Sequence, residues 1–169
     1  RSVDQQQCVA LRVAERLDVV AHTDRGLRVH HRDDARASAL QFRYLWVTDH
    51  DGVKLFDITR LLDPVAVPSG AVHLADARRI YLARTYAYVA AKQDGLVILN
   101  ITRPEAPKIY QAVTLGGTLN DAEDVIVGST NASLFAYVAD GRNGLKVLQL
   151  TSPESQRNFY GFSPAPKPE

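Results

Sequence analysis

Five histidines, His22, His30, His31, His50 and His73, are the side chains here best suited to hold a metal ion or a haem iron, since a neutral imidazole can ligate either. Their spacing argues against shared coordination. His30 and His31 are adjacent in a predicted strand, so their side chains leave opposite faces and do not converge on one ion. Asp49, His50 and Asp51 fall together in one turn, and Asp24, Asp94, Asp140 and Asn143 occupy the corresponding turns elsewhere. Oxygen-rich turns can hold calcium. The DxDxDG loop with its closing glutamate is absent, however, and Asp and Asn favour such turns because their side chains bond the local backbone. No metal site and no cofactor are therefore expected; the nearest approach to a ligand set is His22, His30, His31, His50, Asp49 and Asp51.

Other chemistry finds less support. Cys8 is the single cysteine, which excludes an intrachain disulfide, a CxxC redox pair, a covalent haem attachment and a cysteine-rich zinc site. It reads as a small buried apolar residue. There is no GxSxG elbow and no SxxK, and Gly116-Gly117 lacks a phosphate-loop pattern and reads as a turn. An enzyme is not expected. The glycosylation spacing occurs at Asn100 and Asn131, the first inside a repeat strand and the second in an inserted loop. Twenty basic against nineteen acidic side chains leave a formal charge of +1, too balanced to draw the chain to nucleic acid or an anionic membrane. No window is apolar enough for a membrane span, and residues 1–7 lack the apolar core of a signal peptide. The absence of methionine implies a processed form or part of something longer.

The elements that would position these residues come from an internal repeat. Tyr86 to Pro107 (YAYVAAKQDGLVILNITRPEAP) aligns without a gap on Phe135 to Gln156 (FAYVADGRNGLKVLQLTSPESQ) at an offset of 49, and Arg43 to Pro64 aligns on the first of these at an offset of 43. Each copy is a β-hairpin: an apolar strand, a polar turn ending in glycine, a second apolar strand and a Thr-containing exit. Gly26, Gly52, Gly95 and Gly144 stand where the turn meets the second strand, a position that favours positive φ. Upstream, Ala75 to Ala83 matches Asn120 to Gly128 with Asp76 and Asp121 in register, and Lys108 to Val113 supplies an outer strand. The strands are apolar on both faces, as sheets covered by sheets on either side must be. Trp46, Tyr88 and Tyr137 recur at or beside one column of the hairpin and read as packing between such sheets.

The fold class expected is all-β, a run of four-stranded β-propeller blades with a repeat of about 43 residues. The copies lie near 8–33, 36–73, 74–119 and 120–161, with 162–169 a Pro-rich tail or linker. The first copy is short, and residues 33–36 are expected to mark either a truncation or a junction between segments not contiguous in the full protein.

With its YVA strand, DGxxGL-type turn and Pro-containing exit, the repeat resembles the LVIVD-repeat family. That resemblance implies a propeller, an exported or cell-surface setting, and occurrence in larger chains that sometimes carry multihaem cytochrome modules; it brings no catalytic motif. The function expected is a non-catalytic interaction or scaffold module of an extracytoplasmic assembly. Two alternatives stand beside it: the propeller part of an electron-transfer or enzyme complex with the active groups elsewhere, and a calcium- or glycan-binding propeller. Three copies and a short one are too few to close a ring. The expected partners are other protein chains, or further segments of the same polypeptide, covering the first and last blades.

Overall fold

The computed structural model describes residues 34–61, 63–130, 132–154 and 162–169, which form three antiparallel sheets. The first sheet contains β1 (Ala37–Gln41), β2 (Tyr44–Asp49) and β3 (Gly52–Asp57), with the two-residue strands β4 (Val65–Ala66) and β5 (Val72–His73) both paired to β3. β6 (Arg79–Ala83), β7 (Tyr86–Ala90), β8 (Leu96–Asn100) and β9 (Lys108–Val113) make the second sheet, and β10 (Asp124–Thr130), β11 (Ser133–Ala139) and β12 (Leu145–Thr151) the third. The architecture is all-β and matches part of a propeller. The first expected copy, with Cys8, His22, Gly26, His30 and His31, lies outside the described residues.

Strand pairing explains why both faces are apolar. In the second sheet Val89, Val97 and Leu99 point one way and pack with Trp46, Val53 and Leu55 of the first sheet. Tyr88, Leu96 and Ile98 point the other way and pack with Val125, Val127, Ala136, Val138 and Leu148 of the third. The alternation is the period-2 geometry of a strand, used twice. At about 1.5–3 kcal/mol for each fully buried aliphatic side chain, these two interfaces are the main source of stability in the stack.

Pairing also corrects the sequence alignment of the first sheet. Ile58 N–H donates to Arg43 O as Ile101 N–H donates to Thr85 O, so β2 corresponds to β7 at an offset of 42 while β3 corresponds to β8 at 43. The first turn is one residue shorter than the others, and the ungapped alignment is wrong across β2. Trp46, Tyr88 and Tyr137 thereby become true equivalents, each in the middle of a cross-strand row: Ala39, Trp46, Leu55; Tyr81, Tyr88, Ile98; Ile126, Tyr137, Val147. The four residues inserted after Gly128 lengthen the β10–β11 hairpin by the pairs Ser129 with Leu134 and Thr130 with Ser133.

In the first sheet the outer strand is broken into β4 and β5 by a 3-10 turn at Pro68–Gly70, since Pro68 has no N–H for the ladder. Beside the third sheet, residues 165–169 run along β12. Lys167 N–H donates to Leu150 O at 2.7 Å, and Gln149 and Glu169 exchange bonds at 3.0 and 3.1 Å. Pro166 and Pro168 alternate with the two residues that donate, so the missing N–H groups fall on the side turned away from β12. An edge position is the one place a strand with alternate prolines can occupy, and it offers little to a further strand.

Candidate functional site

The turns that join the second and third strands carry the predicted polar residues. Gly52, Gly95 and Gly144 hold φ values of 133°, 71° and 81°, and occupy equivalent places in the three sheets. Asp49 is buried, and its Oδ1 accepts the N–H groups of Asp51 at 2.8 Å and Gly52 at 3.0 Å, while Oδ2 meets Lys54 Nζ at 2.5 Å. Asp49, His50 and Asp51 do bring one ligand atom each within 4.8 Å of the others. Both oxygens of Asp49 are nevertheless committed to the turn and to Lys54, and His50 Nε2 lies 3.2 Å from Asp51 Oδ1. The contacts of Asp49 are those of a side chain that closes its own turn. His73 is exposed on β5, where it is the cross-strand partner of Gly52 and Leu74 N–H donates to Asp51 O at 3.0 Å, but it is not one of the three residues whose ligand atoms converge. In the third turn Asp140 is buried and its Oδ1 accepts Asp121 N–H at 2.7 Å.

At the same end of the sheets lies an arrangement the sequence reading did not assign. Arg36 pairs with Asp76, Arg78 with Glu123 at 3.7 Å, Arg79 with Asp124 at 3.4 Å, and Lys92 with Asp121 at 2.7 Å and with Glu123. In each of these pairs the base belongs to the earlier sheet and the acid to the later one. Lys92 holds the Asp121 carboxyl below its usual range by hydrogen bonding, and Asp121 and Glu123 in turn raise the Lys92 ammonium. The backbone reinforces the junction, since Ala77 N–H donates to Asp49 O and Ala122 and Lys92 exchange bonds at 3.0 and 3.1 Å. The register of Asp76 and Asp121, each followed by a buried alanine, was the signal in the sequence. It marks where one sheet is clamped to the next.

The third sheet ends this series. Its face toward the second sheet is buried, but Ile126, Tyr137, Leu145 and Val147 on the opposite face are exposed. Ile126, Tyr137 and Val147 form one row, the counterpart of the rows through Trp46 and Tyr88. Trp46 and Tyr88 are core residues as the sequence implied; Tyr137 is not, because among the described residues no sheet packs over it. Leu145 and Val147 are exposed and Leu148 is buried, so the open surface is one face of β12 rather than the whole strand. The matching expectation for residues 17–21 lies outside the described residues.

Among solved structures the chain is similar to a computationally designed protein, Ika4, at 12% identity and a TM-score of 0.45, over 72% of this chain and 69% of that one. No curated protein matches the sequence. The family model of the LVIVD repeat matches residues 75–114 and 121–155. These two spans run from the clamped Asp–Ala segments through the hairpins of the second and third sheets, so that the match to the LVIVD repeat covers both of these sheets.

Proposed function

We propose that this chain is a non-catalytic interaction and scaffold module of a larger extracytoplasmic assembly, and that the open face of its third sheet docks a further sheet of the same kind. One observation carries the reading: the exposed pair Tyr137, Val147 repeats the pairs Trp46, Leu55 and Tyr88, Ile98, which the first and second sheets bury against their neighbours. A contiguous exposed row of large apolar side chains is a surface for a partner. The fitting partner presents what the third sheet presents to the second, a flat face of alanine and valine such as Val125, Ala136 and Val138. Further segments of the same polypeptide or another protein chain can supply it. The extracytoplasmic setting rests on the family resemblance, and cell fractionation of the source organism tests it.

For the docking face, native mass spectrometry and sedimentation of the 169-residue chain are compared with a Tyr137→Lys, Val147→Lys double variant. The wild type is expected to self-associate as concentration rises and the variant to remain monomeric with the same β-sheet spectrum. Wild type and variant sedimenting alike as monomers at high concentration would sink the docking face.

A further inference from the structure

At the end of the stack opposite the ion pairs, a half-open cavity of about 630 Å³ lies between the second and third sheets. We propose that it binds an uncharged sugar. The cavity has a structural cause. Between the first and second sheets the corresponding space is occupied by Trp46, whose Nε1 donates to Gln41 Oε1 at 3.3 Å, and by Tyr44, whose hydroxyl bonds Glu105 and accepts from Arg43 Nη2 at 2.8 Å. In the second sheet the smaller Tyr88 stands where Trp46 would, and Tyr86 stands in the place of Tyr44. The lengthened β10–β11 hairpin supplies one wall, through Ser129, Ser133 and Leu134. Ser163 and Pro164 supply another, and the Thr85 and Ser163 hydroxyls, 2.6 Å apart, fix them there.

Tyr86 and Tyr88 both line this space, where no hydrogen bond to a described residue takes up either hydroxyl and neither is enclosed from the cavity. Their counterparts in the first sheet are satisfied. Burial raises both phenols, so each stays protonated at neutral pH and can donate as well as accept. A hydroxyl that opens into the cavity can bond a ligand there in place of water.

The lining also selects the ligand class. Among the described residues it contains no carboxylate, lysine or histidine, and the one cation among them, Arg84, is committed: Nη1 donates to Phe162 O at 2.6 Å with the guanidinium 5.9 Å from the Phe162 ring. An ionised ligand would lose its hydration without gaining a counter-charge. Hydroxyl side chains of Ser129, Ser133, Thr151 and Ser163 join the two phenols, while Leu82, Val127 and the tyrosine rings offer apolar walls. Hydroxyls on one side and C–H faces on the other are the complement of a pyranose ring. The volume falls in the range of about 300–1,000 Å³ typical of small-molecule sites and admits a mono- or disaccharide.

Saturation-transfer NMR on the full chain tests this with glucose, galactose, mannose, N-acetylglucosamine, maltose and cellobiose, and with glucuronate and glucose 6-phosphate as charged comparators. At least one neutral sugar is expected to bind saturably with Kd below about 10 mM, and neither charged comparator to match it. Tyr88→Phe, which keeps the ring and so the packing, is expected to weaken binding about tenfold, and Ser133→Ala to weaken it less. The Tyr137→Lys, Val147→Lys variant binds as the wild type does, which separates this site from the docking face. Absence of saturable binding by every neutral sugar, equal binding of a charged comparator, or unchanged affinity in both Tyr88→Phe and Ser133→Ala would each overturn the assignment.

Discussion

The second and third sheets are copies of one pattern with opposite fates on one face. Tyr88 and Ile98 are 1% and 0% exposed, while their equivalents Tyr137 and Val147 are 38% and 53% exposed. Residue type does not separate them. Each pair keeps a large apolar or aromatic side chain at the same point of the hairpin, and the backbone pairing is the same. What differs is whether another sheet lies on top. The repeat therefore specifies a face that can be buried, and the neighbour decides whether it is.

The strongest way to break that comparison is to put a charge at the equivalent positions. Ile98→Lys places an ammonium inside the interface between the second and third sheets with no carboxylate in the buried cluster around it, and is expected to cost more than about 4 kcal/mol or to prevent folding. Val147→Lys leaves its ammonium in water and is expected to stay within about 0.5 kcal/mol of the wild type at concentrations where the chain is monomeric. Urea denaturation of the two variants measures the difference. Similar losses in both would mean that the third face is covered in the folded chain, against the comparison drawn here.

The turn glycines sharpen the same contrast at smaller scale. Gly95 and Gly144 both hold positive φ, but a Cβ at Gly95 would press into the carbonyl oxygens of Val113 and Leu119, whereas at Gly144 it would meet nothing. Gly95→Ala combines backbone strain with a clash against main chain and is expected to cost more than about 2 kcal/mol; Gly144→Ala carries the strain alone, about 1 kcal/mol. Equal shifts in denaturation midpoint would show that the closing of the second turn against its neighbours contributes nothing.

How far the sequence revealed these features depended on whether they are local. The outer strand β9 was legible at its observed limits, Lys108 to Val113, and so were the turn glycines, because a two-residue alternation and a φ preference act within a few residues. The exposure of Tyr137 was not legible, since it depends on a neighbouring sheet rather than on the residue. A one-residue difference in turn length also escaped the ungapped alignment, as β2 is apolar at nearly every position and a slip changes little in its pattern. The clamp at Asp76 and Asp121 was visible only as a register without a chemical role. Its bases lie on the preceding sheet, Lys92 being 29 residues from Asp121 in the chain.

That clamp gives the smallest expected effect. The Asp121 carboxyl is held below its ordinary value by Lys92, chiefly through their hydrogen bond, so the folded state binds the proton less readily than the unfolded chain does. Its contribution is complete above the ordinary aspartate pKa of about 3.9 and is lost as pH falls through the lower folded value. The alkaline limb is less diagnostic, because Lys92 is raised by the same pair while burial raises Tyr88 independently. Lys92→Met removes the ammonium and keeps the chain length, and is expected to flatten the fall in stability below about pH 4, relative to the wild type, by a small amount appropriate to solvent-screened groups. Lys108→Met, on the exposed outer strand β9, serves as the control and is expected to leave that limb unchanged. Urea midpoints of the three proteins between pH 2.5 and 7, a range of about four to five units around the carboxylate region, provide the measurement. Parallel acid limbs in wild type and Lys92→Met would mean that the pair holds the sheets in register without coupling their stability to pH.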